Sequence, residues 1–139
     1  MKAVLKYPGA KWRISEWIIS HFPEHKVYCE PFFGSGAVFF NKPQTYIETI
    51  NDIDGNIVNL FKVCRDNPEK LARLIEFTPF AREEFEHCYE RSDDPIEQAG
   101  RTLVRYHQSF GTSNSSKKSW RNVRTYGGPR TAIMWNYLP

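Results

Sequence analysis

The stretch VYCEPFFGSGAVFF, Val27 to Phe40, constrains the fold more than any other part of the chain. A β-prone run, Val27, Tyr28 and Cys29, ends in the acidic Glu30. Pro31, two aromatics and Gly34-Ser35-Gly36 follow, and then an apolar, helix-like start. This order is how a buried strand of an open α/β sheet ends in a tight glycine turn under a ligand. Without a Cβ, a glycine there takes positive φ and lets the backbone approach a bound molecule. No Lys-Ser or Lys-Thr follows the glycines, and the third glycine of the dinucleotide fingerprint is missing. A nucleoside ligand without a pyrophosphate therefore fits this turn better than ATP or NAD.

The flanking pattern predicts one βαβ unit followed by helices. Trp12 to Phe22 reads as a short amphipathic helix, with Trp17, Ile18 and Phe22 on one side and Pro23 ending it. Strands are expected at Val27–Glu30 and Tyr46–Asn51, with a short helix from Gly36 to Asn41 between them. Asp54 or Gly55 starts a helix through Val63 that presents Ile57, Leu60 and Phe61. Pro68 starts another, with Leu71, Leu74 and Ile75 inward. Ala81 to Arg91 reads as an acidic, solvated helix. Asp94-Pro95 caps a last one, where Ile96, Ala99, Leu103, Tyr106 and Phe110 recur at helical spacing. From Gly111 to Arg130 the periodicity dissolves, and only Ser119 to Tyr126 suggests a hairpin strand. Two portions are expected, a βαβ portion at 1–66 and a helical region with a basic loop at 67–139.

Charge is divided along the chain. Residues 1–97 hold 12 Lys+Arg and 16 Asp+Glu, a net −4, while residues 98–139 hold 7 Lys+Arg and no acidic residue. A segment without one carboxylate reads as a phosphate-facing surface. No run approaches the ~18 apolar residues of a membrane span, and no secretory h-region follows Lys2 and Lys6. Cys29, Cys64 and Cys88 are odd in number and widely spaced. They predict reduced thiols in a cytoplasmic protein, and neither a zinc site nor a disulfide frame. His21, His25, His87 and His107 show no metal spacing.

Three segments together carry a resemblance. EPFFGSGAVFF (Glu30 to Phe40) resembles the cofactor motif of the Dam-like, D12-class DNA adenine-N6 methyltransferases. LKYPGAK (Leu5 to Lys11) is similar to that family's N-terminal Lys-aromatic-x-Gly-x-Lys box. INDIDGNIVNLF (Ile50 to Phe61) is similar to its second strand and acidic turn. Three motifs in the right order over about 60 residues are specific, where the glycine turn alone is weak. The resemblance implies an α/β, partial Rossmann-like methyltransferase fold with S-adenosylmethionine (AdoMet) as cofactor and double-stranded DNA as partner.

Residue by residue, the resemblance assigns cofactor contacts to Tyr7, Lys11, Glu30, Phe32, Gly34, Ser35, Gly36 and Asp52. Asp52 follows the second strand, where an acid accepts hydrogen bonds from ribose hydroxyls; the plainer reading is a helix N-cap. Lys11 alone reads as a surface charge, and Tyr7 as a core tyrosine with a wet hydroxyl. Glu30 either meets the positively charged end of AdoMet or is satisfied by turn amides. One of Phe32 and Phe33 belongs to the core and the other to the cleft. Arg105, Lys117, Lys118, Trp120, Arg121 and Arg124 are the DNA-binding candidates, with phosphates met by charge and a flipped base by ring faces. The alternative is a basic, solvated loop with no partner.

The family's catalytic Asp-Pro-Pro-Tyr motif does not occur in this chain, whose only Asp-Pro is Asp94-Pro95. No catalytic residue is assigned, and the chain alone is expected to be inactive. A non-catalytic DNA-binding remnant, or one half of a split methyltransferase completed by a second chain, are the alternatives. A nicotinamide oxidoreductase and an RNA methyltransferase are more distant readings.

Overall fold

β1 (Val27–Glu30) and β2 (Ile47–Ile50) pair in parallel, with Tyr28 opposite Glu48 and Glu30 opposite Ile50. They belong to a computed structural model that describes residues 3–109 and Trp120. Around them run α1 (Ser15–Ser20), α2 (Gly55–Asp66), α3 (Pro68–Phe77), α4 (Arg82–His87) and α5 (Pro95–Gln108). The fold is thus mixed, with a small parallel sheet among the described residues.

Local chemistry starts the long helices where the sequence predicts. Asp54 caps α2 by accepting a hydrogen bond from the Asn56 amide at 2.9 Å. Asp94 caps α5 through the Ile96 amide at 2.8 Å, with Pro95 next in the first turn. Asn67 precedes Pro68 at the start of α3 without a side-chain cap. Ile57 and Leu60 of α2, Leu71 and Ile75 of α3, and Ala99 and Leu103 of α5 are buried in one cluster that also takes in Leu5 and Phe33. α3 lies so close to α5 that a Cβ on Gly100 would stand 2.6 Å from Leu74 Cδ2.

Three expected helices are shorter or absent. Gly36 to Asn41 forms successive turns rather than a helix. The Phe40 amide reaches the Gly36 carbonyl at 2.9 Å, but Asn41 Nδ2 takes the Ala37 carbonyl and Pro43 follows. The N-terminal helix is confined to Ser15–Ser20, because Trp12 turns its indole to Ser35 Oγ at 3.1 Å. Its buried position is Ser15, whereas Trp17 is 65% exposed. The Ala81–Arg91 helix is reduced to α4, and Phe85 plants it in the core. The strand expected at Tyr46–Asn51 is shorter by one residue at each end. Phe110, Gly111 to Ser119 and residues 121–139 lie outside the described residues. The expected hairpin strand is represented only by Trp120, bridged antiparallel to Ser109.

Candidate functional site

The two parallel strands end side by side, and both following turns are stitched together at that edge. The Asn51 amide donates to the Glu30 carbonyl at 2.9 Å, and the Phe33 amide to the Asn51 carbonyl at 2.9 Å. Asn51 Nδ2 reaches the Pro31 carbonyl at 3.2 Å. The carboxyl edge of parallel strands is where open α/β sheets place ligands.

Gly34 (φ 51°) and Gly36 (φ 65°) both take the left-handed backbone the turn requires. The Gly34 amide donates to Asp52 Oδ2 at 2.7 Å, while Asp52 Oδ1 accepts from the Asp54 amide at 3.0 Å. Asp52 therefore braces both turns, and Asp54 beside it is the helix cap. Tyr7 closes the other side of the glycine turn. A Cβ on Gly34 would stand 3.1 Å from two Tyr7 ring carbons, so the ring lies flush against the backbone. The Tyr7 ring also packs on Tyr106 of α5, with centroids 5.5 Å apart. Burial, then Asp52, then Asp54, push the Tyr7 phenol above its ordinary range.

The three motifs of the sequence thus meet at one place, through Tyr7, Gly34 and Asp52. Of the two phenylalanines, Phe33 is buried, and Phe32 is 82% exposed beside the turn. Ser35 is buried with its hydroxyl accepting the Trp12 indole N–H. Lys11 is exposed and donates to the Gly9 carbonyl at 2.7 Å, within the Tyr7–Ala10 turn that Pro8 and Gly9 (φ 76°) make. Glu30 is half-buried. Its Oε2 accepts from the Tyr28 hydroxyl at 2.9 Å, and burial raises its carboxyl against the lowering pull of Tyr28, the Phe39 amide and Lys42.

Sequence reasoning missed two residues here. Ile53, 94% exposed between Asp52 and Asp54, offers an apolar surface next to the acid. An isoleucine flanked by two aspartates at a strand end was the available signal. Trp12, adjacent to Lys11, ties the N-terminal box to Ser35. An open groove of about 630 Å³ lies elsewhere, between α3 and α5, lined by Lys70, Arg73, Phe77 and Glu97, and shares no residue with the strand-end site.

Of the basic candidates, Arg105 sits on the last turn of α5 with its guanidinium 5.1 Å from the Tyr89 ring centroid. Trp120 is half-buried, packs on Phe80 at 5.7 Å, and donates from its indole to Gln108 Oε1 at 3.3 Å. Lys117, Lys118, Arg121 and Arg124 lie outside the described residues. Among the described residues no group of three His, Cys, Asp or Glu gathers for a metal, and no helix is long and apolar enough to cross a membrane.

The chain is similar to a set of DNA methyltransferases. It is 34% identical over 74 residues to the DNA N-6-adenine-methyltransferase of Escherichia phage P1, covering 52% of this chain and 10% of that protein. It is 34% identical over 77 residues to the Type II methyltransferase M1.LlaDCHI of Lactococcus lactis subsp. cremoris, 54% of this chain and 26% of that one. With the DNA adenine methylase of Escherichia coli (strain K12) it shares 28% identity over 124 residues, 79% of this chain and 41% of the relative. The chain thus spans well under half the length of the relatives it matches. The D12 class N6 adenine-specific DNA methyltransferase family matches residues 7–124, most of the sequence. This chain belongs to that family of D12 class adenine methyltransferases.

Proposed function

We propose that this chain supplies the AdoMet-binding and DNA-recognition portion of a site-specific DNA adenine-N6 methyltransferase. The observation that carries the reading is the convergence of Tyr7 and Asp52 on the Gly34 backbone at the carboxyl edge of β1 and β2.

The residues present fit the cofactor. Two left-handed glycines leave the turn backbone bare. Asp52 uses one lone pair on each oxygen for the turns and retains others for ribose hydroxyls. Phe32 and Ile53 offer exposed apolar surface on either side, suited to a purine face. Tyr7, Lys11, Glu30, Ser35 and Gly36 complete the set that would hold AdoMet. Bound AdoMet supplies an activated methyl group on a sulfonium; this chain's part is to bind and orient it. No residue is assigned to methyl transfer, since the Asp-Pro-Pro-Tyr motif does not occur here.

The basic segment from Arg101 to Arg130 would meet duplex phosphates, with Arg105, Lys117, Lys118, Arg121 and Arg124 as contacts and Trp120 as the anchor of its base. Were the enzyme split, a second chain would have apolar surface to cover on the sheet, where Val27 is 58% and Ile47 48% exposed.

The test is a calorimetric titration of AdoMet into the chain, followed by titration of duplex DNA at increasing salt. AdoMet binding lost on Asp52→Ala supports the reading. Salt-sensitive DNA binding with no response to AdoMet would leave a non-catalytic DNA module instead.

A further inference from the structure

The half-covered face of β1 carries a series of contacts leading into the glycine turn from below. Tyr28 and Glu30 are two residues apart on the strand and so share that face. The Tyr28 hydroxyl donates to Glu30 Oε2 at 2.9 Å. Above the Tyr28 ring stands the Lys42 ammonium, 4.3 Å from its centroid and 5.6 Å from that of Phe39. Lys42 is ion-paired with Glu48, the register partner of Tyr28 on β2, and its side chain is only 1% exposed. The ammonium also donates to the Pro43 carbonyl at 3.1 Å. Held by β2 through Glu48, Lys42 in turn holds the Tyr28 ring, because a desolvated cation over an aromatic face is an attractive contact.

We propose that Tyr28 is a positioning residue for the cofactor turn: its hydroxyl, set in place by the Lys42–Glu48 pair, pins the Glu30 carboxylate at the end of β1 and thereby sets how Gly34 and Gly36 approach the ligand. The inference rests on the AdoMet reading of that turn. Glu30 is the last residue of β1, and the turn it pins begins at Pro31. Phe39 lies in the run of turns that follows the glycines, and its ring stands 6.4 Å from that of Tyr28, so the same residue touches the loop at both ends.

The titration of this face follows from its neighbours. Burial raises the Glu30 carboxyl, while the Tyr28 hydroxyl, the Phe39 amide and Lys42 lower it. Burial, then the hydrogen bond to Glu30, hold the Tyr28 phenol well above its ordinary range, so it stays a donor. The Lys42 ammonium holds Glu48 below the usual carboxylate range. The His25 ring completes the face, 6.2 Å from that of Tyr28. Removing the Tyr28 hydroxyl takes away one lowering influence, so Glu30 must then titrate at higher pH.

The experiment compares the chain with Tyr28→Phe, which keeps the ring beneath Lys42 and removes only the donor. Carbon-detected NMR follows the Glu30 carboxyl with pH, amide spectra follow Gly34, Gly36 and Phe39, and calorimetry measures AdoMet affinity on both sides of the Glu30 midpoint. The expected result is a higher Glu30 midpoint in the variant, glycine amides that track that midpoint in both proteins, and AdoMet affinity weakened about ten-fold above it, the effect of one charge-assisted hydrogen bond. Glycine amides indifferent to Glu30, or equal AdoMet affinity in the two proteins, overturn the proposal. If neither protein binds AdoMet, the cofactor reading fails on its own account, and the glycine amides still decide whether Tyr28 governs the turn.

Discussion

Asp52 Oδ2 accepts the Gly34 amide at 2.7 Å, joining two turns 18 residues apart in sequence. The same carboxylate takes the Asp54 amide at 3.0 Å, so a single side chain aligns the glycine turn with the start of α2. Asp52→Ala leaves both amides without their acceptor. It should destabilise the chain by about 1.5–3 kcal/mol, the range for hydrogen bonds to a charged group. Urea unfolding measures this, and calorimetry should show AdoMet binding lost. Asp52→Asn keeps an acceptor for Gly34 and should fall between the two.

Gly36 tolerates no side chain. At φ 65° a Cβ would lie 2.6 Å from both Phe33 Cζ and Phe40 Cε2. Left-handed backbone and overpacking together predict that Gly36→Ala costs about 2–4 kcal/mol. Gly34→Ala should cost less, since its Cβ meets only the Tyr7 ring, at 3.1 Å. Denaturant midpoints of the two variants check the order; a Gly34→Ala protein weaker than Gly36→Ala contradicts it.

Much of this architecture was legible because it is local. Caps at Asp54 and Asp94, the Pro68 start of α3 and the β1–turn pattern each rest on a few neighbouring residues. What escaped the sequence is what tertiary contact decides. Trp12 leaves its expected helix for Ser35, 23 residues away. The apolar run after Gly36 looks helical by composition, yet its bonds hold it in successive turns that end at Pro43. Lys42 was not singled out from the sequence, and only the fold shows it buried over Tyr28. Asp52 reads from the sequence as a ligand contact or a cap, whereas the structure shows it bonded to the Gly34 and Asp54 amides and gives the cap of α2 to Asp54.

The Lys42–Glu48 pair should appear in the acid limb of stability. Lys42 holds the Glu48 carboxyl below its ordinary 4.5, so the folded state binds that proton less readily than the unfolded chain. The resulting stability is complete above the unfolded value and is lost as pH falls through the folded one. Glu48→Gln should therefore flatten the decline of stability below about pH 4.5, a range taken from the ordinary carboxylate value. It should also destabilise at neutral pH more than Lys42→Met does, since it strands an ammonium whose side chain is 1% exposed, against 20% for the carboxylate. Glu30 acts in the opposite sense. Its raised carboxyl contributes stability below its unfolded value, and that contribution is lost as pH rises through the folded one. Thermal melts across the acid range, on the wild-type chain and both variants, separate the two effects.

The basic residues should separate into two kinds when duplex DNA is titrated. Arg105 packs over Tyr89 at the end of α5, and its removal takes away a packed cation–π contact. Arg121 and Arg124 belong to the segment of residues 98–139 that holds no carboxylate. If they meet phosphate, each replacement by Ala should reduce the slope of log affinity against log salt by about 0.9 while leaving thermal stability unchanged. Arg105→Ala should lower the melting temperature, and its effect on the slope tells whether that guanidinium also reaches DNA. Fluorescence anisotropy on a labelled duplex at several salt concentrations gives the slopes. An unchanged slope in both Arg121→Ala and Arg124→Ala removes this segment from the DNA interface, because a phosphate contact cannot be lost without releasing fewer counterions on binding.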